Sequence, residues 1–380
     1  IGGVMLGTLY ARQVFSVPGL APNIYNIGII VGALVISNFL AAEFAIAGMS
    51  WGALAGAFIG NIFIPLLVIR KLGMQFKPSF DLKHPGVKQV LRMMVPVILG
   101  LSLPGVFAMI LKYVGSSYSG ATLSALENSN RLMQAPLGVF GQALALAAFP
   151  ALAQFFASNE IGAFRDQVGK TVRTVVFLTM PISALFIAMP EPIIAGLLGR
   201  GAFGMEEVAR TAPILQTFGI GVAAWCIHPT LMRAFFAVQR SWPPIILGSI
   251  TTVVFAGIAY ALAERGYNAT TLPIAASIAA ILLAIAMITA VHKKIGELDI
   301  HGILVTIAKS ALGASVIGAA AWFLSDPLMN LYGSLSNFGL LAATGFSALV
   351  LAWVYYFLAK LLGMPEVNYV RRRSKPDEPA

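Results

Sequence analysis

Hydrophobic runs recur along the whole chain and are separated by short polar segments. A run of about 20 apolar residues is long enough to cross the hydrocarbon core of a bilayer as an α-helix. The pattern therefore predicts roughly eleven membrane-spanning helices, the first of which is cut short. They are expected near residues 1–11, 24–42, 45–69, 87–113, 123–156, 168–189, 209–238, 243–263, 272–291, 303–324 and 338–362. This pattern is typical of an all-α polytopic membrane protein.

The composition agrees with this fold class. Of the 380 residues, 58% are hydrophobic and 11% are charged, whereas soluble proteins carry about 25% charged residues. The formal net charge is +10, but the basic residues lie in short loops between the apolar runs, so they indicate topology rather than nucleic-acid binding. Every second loop is basic, which predicts a cytoplasmic C-terminus. Membrane lipids, and not nucleic acid, are the expected partners of this surface.

No sequence pattern is typical of an enzyme or a cofactor-binding protein. Cys226 is the only cysteine, which excludes an intramolecular disulfide and a cysteine-based metal site. Metal-ligand spacings, nucleotide cradles and nucleophile–base arrangements are not recognisable either. We therefore expect no cofactor, no metal and no catalytic residue. Because the chain opens inside an apolar run at Ile1, we also expect that its true N-terminus is missing.

A polar stretch interrupts the predicted span at 123–156. A charge at bilayer depth costs roughly 2.5–3.5 kcal/mol, so this face should look into protein or a watery cavity. Glu127 and Arg131 are one helical turn apart and can partly neutralise each other. One interpretation is a solute-binding face, and the alternative is a buried ion pair that only orients helices. The candidate substrate-binding residues are Glu127, Asn128, Asn130, Arg131 and Gln134.

Two further groups of residues are assigned structural roles. Pro136, Gly138 and Gly141 follow the polar stretch directly and are predicted to form a hinge. A polar half-helix followed by a loosened, apolar one is typical of transport helices. Gly52, Gly56 and Gly60 recur at four-residue spacing. Such a ridge of small residues is predicted to allow close helix packing rather than ligand binding.

The longest polar stretch divides the chain into two predicted lobes. It runs from Arg70 to Arg92, carries six basic residues at 70, 71, 77, 83, 88 and 92, and is interrupted by Pro78 and Pro85. Proline-punctuated polar segments of this kind often mark domain boundaries. Its basic face is expected to lie against anionic lipid headgroups.

Three segments resemble the signature of the MurJ/MviN lipid II flippase family. The first runs from Asn130 to Gly141 and contains the pattern Arg-Leu-x-x-x-Pro-x-Gly-Val-Phe-Gly, followed by Ala143 and Pro150. The others are Phe15 to Asn26, with its paired prolines, and Leu198 to Phe203. The resemblance covers essentially the whole chain, including the basic loop midway and two extra spans at the end.

This resemblance implies the fold of the multidrug/oligosaccharidyl-lipid/polysaccharide (MOP) exporter superfamily. That fold is a two-lobed, MATE-like helical bundle of about 14 helices. About three N-terminal helices would then precede the present chain. The implied divisions are an N-terminal-lobe remainder at 1–71, a basic cytoplasmic loop at 72–86, a six-helix C-terminal lobe at 87–297, two helices forming a lipid-tail groove at 298–362, and a basic cytoplasmic tail at 363–380.

The resemblance also implies a function. The substrate would be lipid II, the undecaprenyl-pyrophosphate-linked disaccharide-pentapeptide of peptidoglycan synthesis, moved from the cytoplasmic to the periplasmic leaflet of the inner membrane by alternating access. Arg131 matches the family's cavity arginine, and its implied role is to hold the pyrophosphate. We expect a monomer. The alternatives are an exporter of another polyprenyl-linked glycan or a cationic drug, and a membrane scaffold that transports nothing.

The sequence departs from the family pattern at two places. Family members often carry acidic residues where this chain has Asn130 and Gln134, and we hypothesise that Glu127 substitutes for them one turn earlier. A sodium site in the second lobe would need carboxylates in its first and fifth helices. The segments Val95–Leu111 and Ile245–Leu262 contain none, which argues against a tightly bound sodium ion.

Overall fold

The computed structural model describes residues 2–12, 14, 16–39, 45–74, 86–87, 94, 98, 105–201, 203–332, 334 and 336–368. These residues are overwhelmingly helical, as the hydrophobic pattern predicts. The helices are α1 (Gly2–Ala11), α2 (Ser16–Leu34), α3 (Ala45–Phe58), α4 (Ile64–Lys71), α5 (Gly105–Gly115), α6 (Gly120–Pro136), α7 (Ala143–Ala157), α8 (Ile161–Ala188), α9 (Pro190–Leu198), α10 (Met205–Gly219), α11 (Val222–Ala237), α12 (Trp242–Glu264), α13 (Thr271–Lys294), α14 (Ile300–Asn330) and α15 (Asn337–Leu361).

Several helices begin where the sequence supplies a capping side chain. The Ser119 hydroxyl accepts a hydrogen bond from the Thr122 amide at 3.2 Å, at the start of α6. At the start of α14, Asp299 Oδ1 accepts from the Gly302 amide at 2.8 Å. Ser336 caps α15 in the same way. Such caps satisfy amides that have no partner inside the helix.

Within the described residues, eight helical segments are long and apolar enough to cross a membrane, and a ninth consists of α10 and α11 with a 50° bend between them. The predicted count of about eleven is not confirmed. Of the two other predicted spans, the first corresponds to the short helix α1. The second, at 87–113, is described mainly from residue 105 onward and otherwise lies largely outside the described residues.

Contacts divide the chain into two compact units, Ile1–Lys88 and Gln89–Ala380. The finer division made from the sequence is still a prediction. Most of the basic loop, at 75–85, and the end of the tail, at 369–380, lie outside the described residues.

In the first unit, α2 and α3 pack backbone to backbone through glycines. A Cβ atom on Gly52 would lie 2.6 Å from the Cα of Gly32, and one on Gly28 would lie 2.8 Å from the Cα of Gly56. A Cβ on Gly60 would lie 3.0 Å from the carbonyl oxygen of Ala21. The predicted ridge, which runs from α3 into the π-helical turn Ile59–Phe63 after it, therefore faces a second ridge of small residues on α2, as in close helix pairs of membrane proteins.

A Gly52→Leu substitution is expected to destabilise this unit, because the added side chain forces α2 and α3 apart. The expected cost is about 1–3 kcal/mol, as for other overpacked interfaces. The matched control is Gly19→Leu, since a Cβ at Gly19 meets nothing within 4 Å. Apparent thermal unfolding in detergent checks the prediction, and equal midpoints for the two variants would contradict it.

In the second unit, α8 is the central helix. It packs against α7, α10, α11 and α14. Its apolar residues Phe164, Val168, Val172 and Val175 are completely buried. The N-terminal part of α8 is polar, and the rest is a nearly continuous apolar run. Because this run is apolar on all sides, it can be buried by several neighbouring helices. The six-residue turn that joins α6 to α7 rests on the same core through Gly141.

The last two helices pack on α8 and α9. The Tyr355 hydroxyl of α15 donates to the carbonyl oxygen of Phe177 in α8 at 3.0 Å. Close packing also occurs at Gly196, where a Cβ would lie 3.1 Å from the Cα of Leu341. These contacts attach α15 firmly to the rest of the second unit.

A buried polar cluster fixes the end of α15. The carboxylate of Glu366 is fully buried, accepts a hydrogen bond from Thr306 Oγ1 at 2.9 Å and lies 3.8 Å from Arg173 Nε. Arg173 also pairs with Asp299 at 2.9 Å. Lys309 Nζ donates to the carbonyl oxygen of Leu362 at 2.7 Å. The residues that follow α15 are thus held by α8 and α14 through charge.

Candidate functional site

The candidate site is carried by the long helix that contains α6 and α7. Between them, Leu137–Gln142 forms a π-helical turn. Pro136 ends α6, and Gly138 lies in this turn with open space beside it. Proline removes one helical hydrogen bond, and π-helical turns recur at functional sites. The backbone irregularity therefore coincides with the predicted hinge residues.

Gly141 also has a packing role. A Cβ at this position would lie 2.9 Å from the carbonyl oxygen of Cys226 in α11. On the opposite face of α6 from Glu127, the buried Ser129 hydroxyl donates to the carbonyl oxygen of Thr211 in α10 at 3.2 Å. Two contacts therefore fix the helix on its inner side, one before the π-helical turn at Ser129 and one within it at Gly141.

The charged residues on the outer side form a chain of three side chains. Glu127 Oε1 lies 2.9 Å from Lys112 Nζ of α5. Glu127 Oε2 lies 4.0 Å from an Nη atom of Arg131. The predicted contact of Glu127 with Arg131 is therefore present but long, and the closer partner is Lys112. We call Lys112, Glu127 and Arg131 the cationic triad.

The triad presents more positive than negative charge to its surroundings. Its side chains are 60% exposed at Lys112, 32% at Glu127 and 77% at Arg131. Within the part of the chain that the structure describes, Arg131 donates no hydrogen bond. Its planar guanidinium therefore keeps its donors free for an anion. Both members of the predicted ion pair are thus partly or largely exposed.

The predicted amides differ in their placement. Gln134 is exposed and lies one turn beyond Arg131 on the same face. Asn130 is half-buried near this face, and Asn128 is half-buried farther round the helix. The geometry therefore brings Glu127, Arg131 and Gln134 together, with Asn130 at the edge and Asn128 to the side.

Lys112 is the residue that sequence reasoning missed. It is 15 positions before Glu127 and on another helix, so no helical spacing links the two. The only available signal was its charge near the end of a predicted span. Among the described residues, no group of three His, Cys, Asp or Glu side chains could hold a metal ion.

The chain is similar in sequence to known membrane proteins. A family model described as lipid II flippase MurJ matches residues 1–343. The probable lipid II flippase MurJ of Bdellovibrio bacteriovorus is 26% identical over 374 residues, which are 98% of this chain and 69% of that protein. The corresponding protein of Thermotoga maritima is 28% identical over 367 residues, 96% of this chain and 68% of that protein.

A solved structure has a similar fold. The structure of lipid II flippase MurJ in an inward closed conformation superposes with a TM-score of 0.71 at 22% identity. The match covers 98% of this chain and 70% of that chain. The predicted fold class is thereby confirmed.

Proposed function

The chain belongs to the lipid II flippase MurJ family, and we propose that it moves lipid II from the cytoplasmic to the periplasmic leaflet of a bacterial inner membrane. The observation that carries this proposal is the exposed cationic triad on a helix with a π-helical turn. A diphosphate needs cations within reach of its oxygens, and a polar headgroup needs a polar path through the bilayer.

Arg131 is the proposed principal contact to the diphosphate. Its planar fork of donors matches two phosphate oxygens at once. Lys112 supplies a second positive charge on the other side of Glu127. The carboxylate between them keeps both cations in place in the absence of substrate and lowers their net charge. Such a partly neutralised site binds an anion and can release it again.

The polyprenyl tail is proposed to stay in hydrocarbon while the headgroup passes. The two helices α14 and α15 expose many large apolar side chains, including Trp322, Phe323, Trp353 and Phe357. Their inner sides are attached to α8 and α9, so this surface faces outward from the second unit. We propose that the tail lies along it, as predicted for a lipid-tail groove at 298–362.

We also propose an orientation in the membrane and a transport cycle for the chain. Alternation of basic loops supports a cytoplasmic C-terminus. The hinge at Pro136, Gly138 and Gly141 is proposed to bend when the headgroup is exchanged between leaflets. We propose that a single copy of the chain carries out this alternating access.

Expression of the full-length protein in a bacterium depleted of its own lipid II flippase tests the proposal. We expect it to restore growth and the labelling of lipid II at the cell surface. Export of a cationic dye is measured in the same cells as the competing activity. Normal membrane levels of the protein without any surface-labelled lipid II would overturn the proposal, and dye export in that case would support the drug exporter.

A Lys112→Gln substitution is expected to slow lipid II translocation by about 5- to 10-fold, the effect of one partly exposed charged contact. Lys112→Arg should retain most activity, since the charge is kept. Lys293→Gln is the matched control, because Lys293 is exposed at the end of α13, away from the triad. Surface labelling of lipid II is the measurement, and equal rates for Lys112→Gln and Lys293→Gln would exclude a role for Lys112.

A further inference from the structure

A separate cavity lies inside the second unit. Its volume is about 450 Å³, and it is bounded by α5, the α6–α7 helix, α11, α12 and α13. Volumes of this size are typical of small-molecule sites. None of the three triad residues lines it. The cavity is therefore not part of the site proposed for the lipid II headgroup.

The wall of this cavity is largely apolar and aromatic. Phe107 packs edge-on against Trp225, with ring centroids 5.0 Å apart, and stacks on Phe255 at 4.3 Å. Leu283 of α13 and Phe236 of α11 extend the apolar lining. Such a wall favours an alkyl chain over a polar or sugar-like ligand.

Arg233 is the one side chain with a fixed charge among the described residues that line the cavity. One of its Nη atoms donates to the carbonyl oxygen of Gln142 at 3.1 Å, which fixes the guanidinium but leaves other donors free. No carboxylate lines the described wall to neutralise it. Because Arg233 is half-buried and meets no carboxylate on this wall, an anionic ligand group is a favourable partner for its free donors.

The two threonine hydroxyls that line the cavity are not free to bind the anionic group of a ligand. Thr251 donates to the carbonyl oxygen of Leu247 at 3.0 Å, and Thr252 donates to that of Gly248 at 2.8 Å. Both hydroxyls are therefore used within α12. Arg233 is two helical turns beyond Trp225 on α11, so the charge and the aromatic cluster lie at different positions along the cavity.

We propose that this cavity binds a long-chain anionic amphiphile, with its carboxylate or phosphate head at Arg233 and its alkyl chain along the wall toward Trp225. The proposal goes beyond lipid II translocation, because it uses neither Arg131 nor Lys112. A fatty-acid carboxylate and an alkyl phosphate monoester share this chemistry, and the experiment below separates them.

Quenching of Trp225 fluorescence by brominated amphiphiles tests the proposal. The chain has five tryptophans, and the other four are exposed, at Trp51, Trp242, Trp322 and Trp353. Replacing every other tryptophan of the full-length protein by phenylalanine, these four included, leaves Trp225 as the single reporter. The probes are 12-bromododecanoate, 12-bromododecyl phosphate and neutral 12-bromododecanol, added to the protein in nanodiscs.

We expect saturable quenching by at least one anionic probe at a concentration about tenfold lower than for the alcohol. Arg233→Gln should remove this preference, whereas the control Arg240→Gln should keep it, since Arg240 binds the carbonyl oxygen of Lys294 outside the cavity. Preference for one anion identifies the head group. Equal quenching by the alcohol, an unchanged preference in Arg233→Gln, or no saturable quenching would overturn the proposal.

Discussion

An Arg131→Ala variant is expected to lose lipid II translocation, with a decrease of at least about 100-fold in the rate of surface labelling. Losing the guanidinium removes a bidentate, charge-assisted contact to phosphate, and contacts of this kind are worth roughly 1.5–3 kcal/mol each. No second arginine lies in the triad to replace it. The variant should be made at normal levels, because the side chain is 77% exposed.

Two further variants test whether the loss of translocation is specific to the guanidinium group of Arg131. Arg131→Lys should retain an intermediate rate, since a lysine keeps the charge but loses the planar fork. Arg265→Ala serves as the control, because Arg265 is also an exposed arginine and lies directly after α12, outside the triad. Translocation by Arg131→Ala at the rate of the Arg265→Ala control would show that Arg131 does not hold the substrate.

A Glu366→Ala variant is expected to show the largest loss of stability. Removing one partner of a buried ion pair typically costs about 3–5 kcal/mol when the other charge is left uncompensated. Arg173, only 16% exposed, would lose this carboxylate and keep Asp299 as its remaining partner, so we expect a cost at the lower end, about 3 kcal/mol. Thr306 would also lose its acceptor. The end of α15 would then be held to α8 and α14 by fewer contacts.

Apparent thermal unfolding of the purified protein in detergent measures this effect. Glu366→Gln should have an intermediate midpoint, since an amide oxygen can still accept from Thr306 while the ionic contact is lost. Glu297→Ala is the matched control, because Glu297 is an exposed carboxylate just before α14. A midpoint for Glu366→Ala equal to that of the control would refute the stabilising role of the cluster.

The sequence predicted the features that depend on local pattern. Apolar runs of sufficient length predicted the helices, and the one-turn spacing of Glu127 and Arg131 placed both on one face. The four-residue spacing of Gly52, Gly56 and Gly60 predicted close packing, although the same spacing at Gly28 and Gly32 was not recognised as its counterpart.

Contacts between distant segments were not predictable in this way. Lys112 reaches Glu127 from another helix, and the pattern of one helix carries no information about its neighbour. The region 209–238 was expected as one span, but α10 and α11 meet at a 50° bend. A Cβ at Gly221, at this bend, would lie 2.8 Å from the Cα of Ser277 in α13. Packing against a distant helix therefore shapes the break.

The burial of residues near the end of the chain also depends on a distant segment and was not predictable from local pattern. Residues 363–380 are predicted as a basic, solvent-exposed tail from the basic residues Arg371, Arg372, Arg373 and Lys375. In the described part, Met364, Glu366 and Val367 are buried. The carboxylate is accommodated only because Arg173 is nearby, almost 200 positions earlier in the chain.

Binding of undecaprenyl diphosphate and of uncharged undecaprenol to the purified full-length protein tests the role of the triad most directly. The triad should make wild-type protein bind the diphosphate at least about tenfold more tightly than the alcohol, and Arg131→Ala should lose most of this preference, since only Lys112 then remains as a cation of the triad. Equal affinity of wild type and Arg131→Ala for the diphosphate would contradict the proposed role of this arginine.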